Sequence, residues 1–326
     1  MTPNPYSLTP NPYLRIKEVS EMRKIFILFA LLGVSSGQQV YAEAQISVGG
    51  LIEVGYEKIG DGKGNLGAGD IEVGIEAKLN EQISGAILLR PDAEEIGDIL
   101  DEVIITLENF SQAPISITAG KTAMPFGVFE SHLLSDPWTK EAGDTWCWEI
   151  GGVVGLIGSY AQESVEVSLA VYDCCDNEEP CGIAGMITVA PMENFSASLS
   201  YCSQKEDVDT TTAAMGDVNL SLTYAAGPVT VDVEYSGAMT RENGEPKPSA
   251  YSAGLAYQAS EPLEVALRYD GLNDDDGTAT SPASRIGAGI NYTLFEAATL
   301  SCEIGSTKPG EDDSKTDFAA KLAIEF

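Results

Sequence analysis

Apolar and polar side chains alternate with a period of two along most of the chain after Gln45. Ile71, Val73, Ile75, Ala77 and Leu79 interleave with Glu72, Gly74, Glu76 and Lys78, and the pattern returns across 165–171, 229–235 and 263–269. Successive side chains of a strand point to opposite faces, so each segment has one apolar and one polar face. The last segment sets Phe318, Ala320, Leu322, Ile324 and Phe326 against Asp317, Ala319, Lys321, Ala323 and Glu325. About sixteen such segments follow from the alternation. An even number lets the first and last strands pair antiparallel, which removes both sheet edges.

The connections alternate as well. Short turns fall near Asn80-Glu81, Gln112-Ala113, Gln162-Glu163, Pro191-Met192, Ala226-Gly227, Ser260-Glu261 and Phe295-Glu296. Between them lie longer polar links such as Gly60 to Asp70, Asp173 to Gly182 and Asn273 to Pro282. A sandwich or propeller has no reason for a strict short–long rhythm. A transmembrane antiparallel up-and-down β-barrel does, with short periplasmic turns and long extracellular loops. The expected fold is therefore all-β, and Phe326 is expected at the periplasmic rim beside the strand starting near Gln45. An unblocked aromatic end of this kind resembles the closing strand that outer-membrane barrels present to the barrel-assembly machinery.

Tyrosines support the same reading. Tyr160, Tyr224, Tyr257 and Tyr292 end strands that enter short turns, while Tyr56, Tyr201, Tyr235 and Tyr269 lie near the long-loop ends. All have the apolar parity of their strands. Two belts of amphipathic rings at the lipid–water boundaries are expected, with outer-membrane lipid as the surrounding partner. A mean hydropathy of −0.02 fits a barrel, whose two faces average out.

Arg23 and Lys24 precede an apolar run from Ile25 to Val34, then polar residues and Val40-Tyr41-Ala42. This is the order of a secretory signal peptide, assigned to 22–42, with the barrel at 43–326. The run is too short to span a bilayer as a helix. Residues 1–21 contain the near-repeat Thr2-Pro-Asn-Pro-Tyr and Thr9-Pro-Asn-Pro-Tyr ahead of Met22, and are expected to be a non-native extension. Export leads to the cell outer membrane.

The formal net charge is −32, and the first 42 residues hold four basic against two acidic side chains. Nucleic acid is excluded as a partner, because its binding needs Lys and Arg on phosphates. Six cysteines in an exported chain are free to pair. Cys174, Cys175 and Cys181 cluster in one acidic stretch, where a short disulfide from Cys181 to either of the others is expected. The spacing matches no usual zinc signature and no histidine is near, so no metal and no cofactor is expected.

The longest interruption, Lys121 to Glu149, joins the fifth and sixth strands and is the third long loop. It is apolar, aromatic and proline-containing, which predicts packing into the lumen rather than exposure to water. It holds Trp138, Trp146 and Trp148. Trp146 and Trp148 share outward parity with Ile150 and Val154, which places them in the outer girdle in preference to a ligand-stacking role. At Ala119-Gly120-Lys121, Pro125-Phe126-Gly127, Phe129-Glu130 and Ser135-Asp136-Pro137, followed by Thr139, Glu141, Gly143 and Thr145, this loop resembles the LbtU family of siderophore porins. The Gly-Lys and Pro-Phe-Gly part is also similar to phosphate-selective porins. The resemblance implies a barrel without a separate plug domain, importing a ferric siderophore. Trp138, Lys140 and Ala142 depart from the family's more aliphatic and acidic run.

Inward parity lines the lumen with Glu53, Glu72, Glu76, Glu102, Glu108, Glu166, Asp232, Glu234, Glu264 and Glu303, opposed by Lys78, Arg90, Arg268, Arg285 and Lys321. Carboxylate rings favour cations, and guanidinium suits anionic groups. Constriction candidates are Arg90, Arg268, Arg285, Lys121, Glu130, Asp136, Glu72, Glu76, Glu234 and Glu264. Mutual pairing for wall stability is the alternative role for any one of them. The expected function is an outer-membrane porin for small solutes, with siderophore uptake, cation-preferring diffusion and a transport-free structural barrel as alternatives; a homotrimer is one expected assembly. Enzymatic chemistry has one histidine to draw on, His132 between Ser131 and Ser135, and adjacency in sequence is no catalytic arrangement. The chain is not expected to be an enzyme.

Overall fold

The computed structural model describes residues 44–60, 62–91, 99–109, 113–142, 147–173, 181–204, 215–241, 247–273, 282–309 and 313–326. The expected extension and signal peptide lie outside the described residues, in the unit Met1–Glu43; the barrel belongs to Ala44–Phe326.

Sixteen strands follow one another: β1 (Gln45–Ile59), β2 (Asn65–Lys78), β3 (Ile83–Leu89), β4 (Leu100–Leu107), β5 (Ile115–Thr122), β6 (Val153–Gln162), β7 (Val165–Asp173), β8 (Gly182–Met192), β9 (Phe195–Gln204), β10 (Met215–Ala226), β11 (Val229–Thr240), β12 (Ser249–Ser260), β13 (Leu263–Asn273), β14 (Pro282–Phe295), β15 (Ala298–Pro309) and β16 (Lys315–Glu325). Each pairs antiparallel with its chain neighbours, and β1 pairs with β16 to close the barrel. Every backbone edge is thereby consumed, as a strand bundle in hydrocarbon requires.

The register fixes which side chains face outward. Val54 lies opposite Leu322, Leu220 opposite Leu199, and Tyr235 opposite Tyr251, all exposed apolar groups on the outer surface. The eight tyrosines of the two belts are all exposed on that surface. Tyr251 joins the long-loop belt, with its ring 5.9 Å from that of Tyr269.

One sequence expectation is corrected here. The link Gly60 to Asp70 is shorter than its composition suggests, because β2 already starts at Asn65. A register shift between Ile52 and Val54 lets Val54, Gly55 and Tyr56 pair with Ala68, Gly67 and Leu66, so a glycine-rich stretch continues as strand. Phe326 sits beside the strand that starts at Gln45, as expected: it exchanges backbone hydrogen bonds with Gly50 of β1, at 2.9 and 3.1 Å. A Cβ on Gly50 would lie 2.6 Å from the Phe326 ring, so the terminal aromatic packs against β1 where glycine leaves room for it.

The inner wall is uneven. On β7 to β14 the small inward side chains are Ser168 and Ala170, Ala184, Ser198 and Ser200, Ser221, Ala250 and Ser252, Ala266, then Gly287 and Gly289, set among larger ones such as Glu234, Arg268 and Asp270. Small side chains there leave volume inside the barrel. The loop between β5 and β6 fills it.

Candidate pore constriction

After Thr122 the chain turns into the lumen and crosses to the opposite wall. Its apolar side chains Met124, Phe126, Trp138, Ala142 and Trp148 are buried in one cluster with wall residues Ala170, Tyr172, Ala184, Cys202, Ala250 and Leu272. Trp138 and Trp148 are each only 4% exposed. Trp148 therefore belongs to the interior and not to the outer girdle. Strand parity extended back from Val154 fails for it because 147–152 is not strand. Trp146 lies outside the described residues.

Three wall carboxylates and one arginine hold the loop. Glu234, 7% exposed, accepts from the backbone N–H of Val128 and Phe129 at 2.9 and 3.1 Å and from Thr139 Oγ1 at 2.6 Å. Asn219 Nδ2 donates to it from the neighbouring strand at 2.9 Å. Gly127 and Phe129 have φ of 74° and 54°, and this left-handed turn aims the two N–H groups at one oxygen. Glu303 accepts from Ser135 N and Oγ at 2.8 and 2.7 Å and pairs with Arg285 at 2.5 Å. Asp270 accepts from Trp138 N at 3.4 Å and Ser252 Oγ at 2.5 Å.

Arg268 spends its donors on the same task. Its Nε pairs with Asp270 at 2.9 Å, while its two terminal nitrogens reach Ser131 Oγ, Ser135 O, Ser135 Oγ and Asp136 O at 2.6–2.8 Å. A 3% exposed guanidinium with this many partners is structural, since a buried charge persists only when paired and hydrogen-bonded. Leu133 approaches Gly287 and Gly289 so closely that a Cβ on either would lie 2.7 Å from it.

The sequence-selected residues thus divide. Glu234, Arg268 and Arg285 serve the loop's attachment. Glu264 binds the loop's underside, with Oε1 accepting from Asn291 Nδ2 at 3.0 Å beside His132. Glu72 and Arg90 face the open lumen on β2 and just past β3, where Arg90 pairs with Asp70 at 2.7 Å and approaches Glu72 at 4.0 Å. Glu76 lies on the same inward face near the short-turn end and is exposed. Glu130 and Asp136 are exposed on the loop. Lys121 is not brought to the pore: it lies opposite Val103 and Val154 on the outward parity of β5, with Nζ on Leu100 O at 2.6 Å. Lys321 and Glu53 pair at 2.8 Å across β16 and β1.

Asp70, Asn219, Asp270 and Asn291 are contributors that charge counting passed over. The signal was shared parity with Glu72 for the first, and alternation against outward Tyr269 and Tyr292 for the third and fourth. Cys181 is disulfide-bonded, and the other two members of its cluster, Cys174 and Cys175, lie outside the described residues. Cys147, Cys202 and Cys302 are free thiols.

On the lumen side of the loop, Lys140 sits between Asp136 and Glu149 at 3.2 and 3.4 Å. Partial burial works to lower its pKa, but the two carboxylates outweigh burial and hold it above the usual lysine value. Burial, reinforced by Glu141, pushes the Cys147 thiol up, which leaves it a poor nucleophile. Ser131 and Ser135 direct their hydroxyls to Leu133 O, Ser135 O and Glu303, not to His132.

Between the loop and the wall of β15, β16 and β1, toward the long-loop rim, a cavity of about 450 Å³ remains. It is bordered by Glu57, Asp136, Glu141, Glu303 and Asp317 against Arg285, with Ile59, Leu134 and Trp138 as apolar surface.

A family model described as Gram-negative porin matches residues 117–320, from within β5 through most of β16. Among solved structures, the loop L8 deletion mutant of OmpT, an outer membrane protein of Vibrio cholerae, has a TM-score of 0.67 at 15% identity, covering 87% of this chain and 100% of that one. The outer membrane channel DcaP of Acinetobacter baumannii has 0.66 at 14%, covering 89% and 100%. Salmonella typhi OmpF, solved in complex with daunomycin, has 0.66 at 11%, covering 86% and 97%. At such identities these likenesses show the fold alone. No curated protein matches the sequence. Matched over more than half its length by that family model, and closed into a sixteen-stranded barrel, the chain belongs to the Gram-negative porin family and is an outer-membrane channel.

Proposed function

We propose that the channel passes small solutes by diffusion with a preference for cations. The observation that carries this reading is the cavity beside the inward loop, where five carboxylates face one arginine. Arg268, one of three arginines that could bind an anionic solute, is buried in the loop's attachment and offers nothing to the lumen. Carboxylates lining a narrow aqueous path raise the local cation concentration and replace lost hydration. Reconstituted into planar bilayers under a salt gradient, the protein is expected to give a cation-selective reversal potential. Glu57→Gln with Glu141→Gln is expected to reduce that selectivity at nearly unchanged conductance; an anion-selective wild type overturns the reading.

Uptake of a ferric siderophore is the second reading. It is favoured by one observation: of the residues 119–145 that carry the LbtU resemblance, those from Pro125 to Thr139 belong to the loop that folds into the lumen. In the same bilayers, a ferric siderophore that enters this loop would interrupt the current in discrete steps. Siderophore without effect on current or on labelled-iron uptake sinks it.

We infer also that the barrel assembles as a homotrimer through β2–β5. Tyrosine belts mark lipid contact, yet the described residues of these four strands carry no Tyr, Trp or Phe; their outer face is mainly aliphatic, with Ile75, Ile87, Ile105 and Ile117, and holds Lys121 at the long-loop end of β5. Vibrio cholerae OmpT was solved in a trimer form. Ile87→Trp is expected to convert trimer to folded monomer in native electrophoresis, whereas a tryptophan at Leu267 on β13 leaves the assembly intact.

A further inference from the structure

His132 is the chain's single histidine, and the loop carries it to the wall between β11 and β13. Its Nδ1 lies 3.4 Å from Glu264 Oε1, and its Nε2 lies 3.9 Å from Asp232 Oδ1. Nε2 and Oδ1 are both buried and both lack a hydrogen-bond partner. Asp232 is only 9% exposed. A separation of 3.9 Å is too long for a direct hydrogen bond, and an unpartnered buried carboxylate oxygen is costly. Asp232 and Glu130 also border a void of about 10 Å³, roughly the space of one water.

We propose that His132 Nε2 and Asp232 Oδ1 are two ligands of a binding site for a first-row divalent metal ion of the zinc class. Zinc bonds to nitrogen and oxygen of about 2.1 Å place two ligands about 3.4 Å apart at the tetrahedral angle and about 3.9 Å apart at roughly 135°. The 3.9 Å between the two orphaned atoms matches the wider of these angles. Glu264 at Nδ1 supplies what metal-bound histidines usually have, a carboxylate that fixes the ring and directs the other nitrogen at the ion. Asp232, Glu264 and Glu130 surround the imidazole with negative charge, which a divalent cation offsets. Imidazole with carboxylate selects zinc, copper or nickel over magnesium, which prefers oxygen alone.

Among the described residues no three His, Cys, Asp or Glu side chains form a ready metal-holding group. The fixed ligands are therefore two. The remaining positions are left to water, for which the small void beside Asp232 and Glu130 gives room. Such a site exchanges its ion with the medium, and when filled it ties the loop to β11. It does not depend on the channel's ion preference.

A single histidine makes the test specific. Protein labelled with ¹⁵N-histidine and refolded in detergent gives one imidazole spin system. Zinc is expected to move that resonance to saturation at one equivalent, magnesium is expected to leave it in place, and acidification is expected to reverse the change because protons compete for Nε2. Asp232→Asn should weaken zinc binding at least tenfold while the folded barrel persists by its heat-modifiable migration. Should that variant not fold, Glu130→Gln, on the exposed loop surface, is expected to weaken binding severalfold. A resonance that follows pH but ignores excess zinc overturns the proposal, as does zinc binding untouched by every variant that folds.

Discussion

Glu234→Ala is expected to raise single-channel conductance severalfold and to add current noise, while the barrel stays closed. The carboxylate accepts two backbone N–H groups of the loop, the Thr139 hydroxyl and the Asn219 amide. Hydrogen bonds to a charged group contribute about 1.5–3 kcal/mol each, and stranded buried donors cost about 1–3 kcal/mol apiece. These terms are not additive, but any two of them exceed what a thirty-residue insert needs to begin sampling a detached state. The wall itself rests on backbone ladders that the substitution does not touch. Glu234→Gln keeps one acceptor oxygen and should fall between. Unchanged conductance in Glu234→Ala would show that the apolar cluster around Trp138 and Trp148 holds the loop without this clamp.

Gly120→Val is expected to abolish the folded barrel. Gly120 has φ of 146°, and a Cβ there would lie 1.9 Å from the Val103 carbonyl oxygen, a backbone atom of the paired strand. No rotamer relieves a clash between Cβ and backbone, so β4 and β5 must separate at the point where the chain departs for the lumen. Strand separation leaves unpaired N–H and C=O groups within the membrane, at several kcal/mol for each. Gly158, on β6, is the control: nothing lies within 4 Å of its added Cβ, and Gly158→Ala should fold like the wild type. The readout is the fraction migrating as the compact, heat-modifiable form after refolding. A fully folded Gly120→Val protein would mean that the β4–β5 register is softer than its geometry indicates.

The wall was legible in the sequence because a strand has a period of two and lipid tolerates only one parity. Glu72, Arg90, Glu234, Arg268 and Lys321 were placed inward on that basis, and the strand register puts Glu72, Glu234, Arg268 and Lys321 on that face. The loop's entry into the lumen was legible from its composition, since Phe126, Trp138 and Trp148 have little reason to face water. Its contacts were not. Charges read as pore lining, such as Glu234 and Arg268, are satisfied by backbone and hydroxyl groups of the loop 95–137 residues away in sequence, and no local pattern announces such partners. Trp148 was misassigned by carrying parity past a strand end, and Lys121 by treating the last turn of β5 as loop. The informative signal was a negative one: inward positions on consecutive strands filled by Ser, Ala and Gly mark where something bulky must enter.

That mould of small side chains ties the inheritance of two distant segments together. Leu133 fits because Gly287 and Gly289 carry nothing at those positions, and Met124 presses on Gly155 in the same way. A loop transplanted from a relative would meet the wrong relief, and a methyl added to the wall would evict a loop that had not changed. Change in what this pore admits is therefore expected to come in matched pairs, one step in the insert and one on the strand beneath it, rather than by free drift of either.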